Sequence, residues 1–527
     1  MQPTASSSSP ASAFKTWGSF HSPPVELLIR QPDNEYTPPH IPIDCDVQSL
    51  IQQQLASPPR PQSPPPLGLP PASFTAPTLS ACPVPPSLSS FPLLSRPLCR
   101  QLFHLSSSFT FVNHGAFGSP LLALTAVQHR WLLHAESQPL RYIDRELLPL
   151  LAHATRMLAE ALHAPPQQLV LGHNATTLLT TVTRSMSAAG VAGKLRLGSG
   201  WSVVRLSLAY GAVKRMVDEL CSDTGTHMHE VHIPLPLQSA DDIVNAIAAA
   251  FTALSSAGRP ASFLFIDHIA SNTALLLPLP AVLSLCRQHN VEAIVDGAHG
   301  PWQLPLDLSS LDCAVYGGNL HKWWCGPKGA AFMYVSAESS LHGVLRSPVC
   351  SHGSGAGLVS DFLWTGTHSY TPLLTLLSSV PLWRDGLSVD GRSVSTAELR
   401  QYCVELCRWA RRMLTATWQT HTLCAWDGGD GHPAASEQAE MYACMATVAI
   451  GFGDGVAGLN EWLQDVLYSE WRIECPVKNI DGKLYVRISC HLYNLPDDYL
   501  HLAYAVLSIR DQYNNTQQPP SSADGAG

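Results

Sequence analysis

The chain has 527 residues, a formal net charge of −9 at pH 7 and an apolar fraction of 45%, enough length for two or three domains and enough apolar content for a large core. It has no basic block and no run of about eighteen apolar residues, which argues against a nucleic-acid partner, an anionic membrane surface and a membrane-spanning helix. Its 14 cysteines are scattered without CxxC or zinc-finger spacing, as expected of a reducing compartment rather than a disulfide-stapled secreted module.

Residues 1–97 are a separate material. The runs SSSSP, SPPRPQSPPPLGLPPASF and ACPVPPSLSSFP are rich in Pro and Ser and offer too little apolar surface to offset the ordering of their backbone, so disorder is expected. The first two dozen residues contain no Asp or Glu and many Ser, which is faintly like an organelle transit peptide. Lys15 is their only basic residue, however, and a solvated tail on a cytoplasmic protein is the expectation.

Order is expected from residue 98. FVNHGAFGSP is a short apolar strand followed by a Gly- and Pro-bearing turn, which leads into the helical pattern LLALTAVQHRWLLHAE. RYIDRELLPLLAHATRMLAEALHA repeats apolar residues at helical spacing and predicts one or two further helices. In QQLVLGHNATTLLTTVTRSM a short buried strand ends at Asn174, a good N-cap, so the free amides of the next helix could receive a phosphate. Ala175, Thr176 and Thr177 would let the backbone approach that anion and add a hydroxyl donor.

LSLAYGAVKRMV carries the aromatic Tyr210 just before a helical pattern. In THMHEVHIP, strand alternation puts His227 and His229 on one face and His232 on the other with Glu230, so no face collects a zinc shell, and no metal is expected. SFLFIDHIASNTALLLPLP, AVLSLCRQHN and VEAIVDGAH then read as strand, helix, strand, with parallel pairing through right-handed crossovers. Asp296 ends an apolar strand, and DCAVYGG leads from a second strand into Lys322, just beyond the strand ends where open α/β sheets place their ligand crevice. A lysine amine and a carboxylate there are the two groups that pyridoxal 5'-phosphate (PLP) chemistry requires: the amine forms a Schiff base with the cofactor aldehyde, and the carboxylate keeps the pyridine nitrogen protonated.

The strings DGAH and GGNLHKWWCGPKG resemble the class V aminotransferase family, most closely its isopenicillin N epimerase-like and cysteine desulfhydrase-like branch. The resemblance runs from about Phe111 to about Leu507. It implies PLP as cofactor and a PLP-dependent transferase fold of type I: a large doubly wound α/β domain with a mixed sheet (residues 98–387, whose first segment may pack with the small domain), a smaller C-terminal α+β domain (388–513) and a disordered tail (514–527). It assigns Lys322, Asp296 and His299 to catalysis, with His299 directed at the cofactor's phenolic oxygen. It assigns Ala175, Thr176 and Thr177 to the phosphate loop, Tyr210 to stacking on the cofactor, and Asn319 and His321 to supporting the phosphate or the lysine. Gly366 and Thr367, beyond the Gly- and Ser-rich stretch SPVCSHGSGAGLVSDFLW, would reach a partner subunit's phosphate and imply a homodimer. Asn113, His114 and Arg487 would contact the substrate, the arginine forking onto its α-carboxylate. Lys328 reads as structural, and Trp323 and Trp324 as an apolar wall.

The activity implied is that of a PLP-dependent carbon–sulfur lyase acting on a small, sulfur-containing amino acid by β-elimination to a thiol or sulfide, a keto acid and ammonia. Epimerisation, desulfuration through a protein persulfide, transamination and a catalytically silent binding protein are the alternatives. Cys475, in WRIECPVKNIDGK, is a poor persulfide carrier: the strand-like setting and the neighbouring Glu474 both disfavour a thiolate. Cys350 lies in a more flexible loop but only 28 residues after Lys322.

Overall fold

The computed structural model describes residues 21–57, 68–89, 101–389, 392–427 and 440–517. Residues 21–57 and 68–89, expected to be disordered, instead include the helices α1 (Val25–Arg30) and α2 (Val47–Ala56), with Val25, Ile29, Leu50 and Ile51 buried. These stretches place apolar residues at helical spacing between the Pro/Ser runs, and composition averaged over the whole region hides them. Arg156 fastens the strap, donating to the carbonyls of Leu28, Ile29 and Gln31 and pairing with Asp33. The Pro-rich run at 58–67, residues 1–20 and residues 90–100 lie outside the described residues.

Helix α3 (Leu122–Ser137) continues through a short turn and a π-type turn at Tyr142–Glu146 into α4 (Leu147–Ala161), which is apolar enough to be buried along most of its length. The large sheet has seven strands: β1 (Leu169–Gly172), β2 (Ser202–Leu206), β3 (His227–Val231), β4 (Ala261–Asp267), β5 (Glu292–Asp296), β6 (Val315–Asn319) and β7 (Ala331–Val335). Their spatial order is β1-β7-β6-β5-β4-β2-β3, parallel throughout except for the antiparallel β7. The apolar runs predicted its parallel strands, since strands covered on both faces read as continuous hydrophobic segments, and the mixed sheet is the one that the family resemblance implied.

Helices α5 (Ala175–Val191), α6 (Gly211–Thr224), α7 (Asp241–Ser256) and α8 (Leu279–Gln288) connect these strands. The chain reverses its direction of travel across the sheet at β3, so right-handed crossovers put α5 and α6 on one face and α7 and α8 on the other. Strand β3 ends at Val231, which leaves His232 outside it, and Glu230 is taken up by Arg205 and Lys214.

C-terminal to this sheet, helix α9 (Thr396–Trp418), started by a Ser395/Glu398 capping box, packs with β8 (Met445–Ala449) and with the last helix. Helix α10 (Leu459–Ser469) precedes β9 (Val477–Ile480) and β10 (Lys483–Ser489), which complete an antiparallel sheet in the order β8-β10-β9. The final helix, α11 (Pro496–Gln517), runs past the expected start of the tail; residues 518–527 are outside the described set. Thr110–Phe111 pairs in parallel with Ile473–Glu474 as a separate two-stranded sheet, and the Val112 carbonyl accepts the Ser489 N–H of β10, which ties the segment before α3 to the second sheet.

Candidate active site

Strands β4, β5 and β6 end at Asp267, Asp296 and Asn319, and a cavity of about 270 Å³ opens at those carboxyl ends. Nine of the residues singled out in the sequence line it: Asn174, Ala175, Thr176, Tyr210, Asp296, His299, Asn319, His321 and Lys322. The lysine is delivered by a tight turn after β6, closed by Cys325 N–H donating to the Lys322 carbonyl. Gly118, at φ +68°, packs on this turn so closely that a Cβ would lie 2.3 Å from the His321 carbonyl oxygen.

Lys322 Nζ lies 3.2 Å from His299 Nε2, and Trp323 Nε1 donates to His299 Nδ1 at 3.2 Å. Trp323 thus does more than form a wall. Because an indole only donates, His299 Nδ1 must accept and the proton of the neutral imidazole sits on Nε2. Burial, with Lys322 and Arg487 nearby, holds His299 well below the ordinary imidazole range and so keeps it neutral. An Nε2–H facing Nζ is compatible only with a neutral lysine amine. Burial lowers the Lys322 pKa to about 8, against the opposing pull of Asp296.

Asp296 is buried, and its Oδ1 accepts the Ala298 N–H at 3.0 Å. Its register partner on the adjacent strand is Asp267, also buried, whose carboxylate accepts the Tyr210 N–H. Burial raises both carboxyls above their usual range, and the charge of Asp296 raises Asp267 further.

At the other end of the cavity, Asn174 caps α5 by accepting the Thr177 N–H, and Asn319 Oδ1 accepts the Ala175 N–H at 2.9 Å. Asn319 thereby pins the helix terminus to β6. Thr177 also donates its hydroxyl to Asn174 and is not among the cavity-lining residues. His321 also lines the cavity.

Three substrate-contact assignments fall behind the wall instead of on it. Arg487 is buried on β10, donating to the Ser271 carbonyl at 2.6 Å and to Asn113 Oδ1 at 3.1 Å, while its Nε has no partner. Asn113 also donates to Glu474. His114 is fully buried, with Nδ1 at 2.8 Å from the Tyr493 hydroxyl and Nε2 at 3.1 Å from the Lys322 carbonyl, so it braces the lysine's backbone and does not face the cavity. Gly366 and Thr367 lie in a separate loop, where the Gly366 carbonyl accepts from Tyr370. Lys328 donates to the Gly118 carbonyl.

Four further cavity residues, Asp267, Ser271, Asn272 and Lys478, were not singled out in the sequence. The string IDHIASN did hold a signal for three of them, an acid and polar residues at the end of a wholly apolar strand. Lys478 had none, since it reaches the cavity from the second sheet.

This cavity fits PLP: it holds a helix N-terminus for a phosphate, two buried carboxyls that a pyridinium would relieve, and a lysine of lowered pKa. Fold and site together define a PLP-dependent enzyme of fold type I, with PLP as its cofactor. Residues 145–347 match the family described as Aminotransferase class-V. The chain is 30% identical over 434 residues to the probable chloroplastic L-cysteine desulfhydrase of Arabidopsis thaliana, a match covering 79% of this chain and 86% of that protein. It is 26% identical to the isopenicillin N epimerase of Amycolatopsis lactamdurans, over 78% of this chain and 97% of the relative. The chain belongs to the class V aminotransferase family. Among solved structures, the cystine C-S lyase C-DES in complex with cysteine persulfide superposes with a TM-score of 0.57 at 19% identity, over 76% of this chain and 97% of that one. The cysteine desulfurase CsdA of Escherichia coli gives 0.58 at 16%, over 80% and 99%. At these identities the two structures bear on the fold alone.

Proposed function

We propose that this protein is a carbon–sulfur lyase that cleaves L-cysteine or a cysteine conjugate by β-elimination, with water, to a thiol or sulfide, pyruvate and ammonium. PLP supplies an aldehyde for amine exchange and an electron sink for the substrate Cα. Lys322 Nζ, whose lowered pKa of about 8 leaves a usable neutral fraction near physiological pH, would remove the Cα proton and return it later. Asp296, with Oδ1 occupied by Ala298, would use Oδ2 to hold a proton on the ring nitrogen. His299 Nε2–H, which faces Lys322, would be available to an oxygen of the cofactor, and Tyr210 would cover its ring. Arg487, buried behind the wall beside Asn113, would supply positive charge for the substrate carboxylate. Loss of the Cβ–S bond then sends the electron pair out on sulfur as thiolate.

The observation that carries the choice of lyase over persulfide-forming desulfurase is that, among the described residues, no cysteine lines the cavity. Cys475 is buried, with its Sγ against the carbonyls of Pro476 and Arg487, and burial pushes its thiol far above the ordinary range. The desulfhydrase names of several relatives agree with this reading. Gly366 and Thr367 do not line their own chain's cavity, which agrees with a homodimer in which each loop would serve the partner's site.

The test is to incubate the purified protein with cysteine and follow pyruvate, alanine and sulfide. Pyruvate and sulfide in equal amounts are expected. Alanine with a protein-bound persulfide would replace the reading by desulfuration, and inverted substrate without keto acid would replace it by epimerisation.

A further inference from the structure

Lys478 stands on β9, where its register partner is Tyr485, two residues before Arg487 on β10. Its side chain is half-buried and lines the active-site cavity, and no carboxylate of the described residues pairs with it. The carboxylates that line the cavity, Asp267 and Asp296, are at the ends of β4 and β5, beside Lys322. The wall furnished by the second sheet is therefore cationic, and an ammonium partly withdrawn from water without a counter-ion is a poor structural element. It becomes a favourable one once a ligand brings the missing charge.

Arg487 stands behind the cavity wall, held by the Ser271 carbonyl and Asn113. Its charge lowers the pKa of both Lys322 and Lys478, while neither lysine perturbs the other. An amino acid with its Cα at Lys322 and its α-carboxylate drawn toward the charge of Arg487 leaves Lys478 free for a further group. Resting on the lyase reading above, we propose that Lys478 binds a second anionic group, at the far end of the substrate, and that the preferred substrates are cysteine conjugates whose sulfur substituent ends in a carboxylate or sulfonate. The leaving thiol is then itself an anion-bearing molecule: R–S–CH2–CH(NH3+)–COO− plus water gives R–SH, pyruvate and ammonium, with R carrying the charge.

A matched pair of substrates tests this: S-(2-carboxyethyl)-L-cysteine and its uncharged amide, S-(2-carbamoylethyl)-L-cysteine. The holoenzyme is expected to prefer the acid by about tenfold or more in kcat/KM, with the difference in KM, as one partly desolvated ion pair supplies. Lys478→Met should erase the preference and Lys478→Arg should keep it. Equal use of the two compounds by the wild-type enzyme, or a preference that survives in Lys478→Met, overturns the proposal. So does a loss of PLP affinity in Lys478→Met, which would assign the lysine to the cofactor. Calorimetric titration of the same two compounds into the catalytically dead Lys322→Ala holoprotein separates this proposal from the lyase reading. Selective binding of the acid there supports Lys478 even if no keto acid is ever released, and equal binding overturns it.

Discussion

Asp267 and Asp296 are register partners at the carboxyl ends of two adjacent parallel strands, so two buried carboxyls stand side by side in one cavity. Like charges this close cannot both ionise cheaply, and the pair holds a proton more readily than either acid would alone.

That pairing has a sign in the pH dependence of stability. An acid whose folded pKa is raised stabilises the folded state fully below its unfolded value, about 3.9, and loses that contribution as pH rises through the folded value. Asp267 is raised by burial and by Asp296. In the apo-protein, Asp267→Asn should therefore gain on the wild type between about pH 5 and about pH 8, by on the order of 2 °C in Tm. Thermal unfolding at the two pH values measures it. A gap that does not grow with pH would mean that Asp267 is not raised.

Lys322 should show its lowered pKa directly in cofactor capture. Only the neutral amine reacts, so the rate at which apo-protein combines with PLP should rise with pH and reach half its plateau near about 8. Asp296 opposes the shift by favouring the ammonium. Asp296→Asn should move the midpoint lower, and stopped-flow absorbance would report it; a midpoint near the ordinary lysine value would contradict the account.

The tautomer of His299 depends on a single donor, Trp323 Nε1. Trp323→Phe keeps most of the packing and removes that donor, so kcat should fall by about tenfold, or about 1.4 kcal/mol in the barrier. Steady-state kinetics check it, with PLP affinity as the control that the cavity is intact.

The N-terminal strap makes a stability prediction. Ile29 is fully buried and the segment around it is held by Arg156. Ile29→Ala should cost about 2–5 kcal/mol in chemical denaturation, whereas a loss under about 0.5 kcal/mol would fit a solvated tail.

The parts of this molecule legible in the sequence were those that local pattern determines. Asp296 and Lys322 could be found because each follows an apolar strand, and Asn174 because N-caps have a composition. Asp267 was read only as the end of a strand, because its importance comes from the register that sets it beside Asp296, and register between strands is not written in either one. His114 and Arg487 are in the right neighbourhood, but which face of their segments meets the cavity is decided by packing of the second sheet against the first. The strap escaped because Pro and Ser on either side outweighed the few isoleucines and leucines that anchor it. Gly366 and Thr367 depend on a second subunit, which one chain's sequence pattern does not position.

The central claim is that Lys322, delivered by the turn after β6 into the cavity of paired carboxyls, carries the cofactor. Borohydride reduction of the holoprotein followed by peptide mapping tests it most directly, because three lysines stand in or near the cavity: Lys322, Lys328 and Lys478. The pyridoxyl label is predicted on Lys322 alone, with none on the Lys322→Ala protein. A label on Lys328 or Lys478, or labelling that persists in Lys322→Ala, would contradict it.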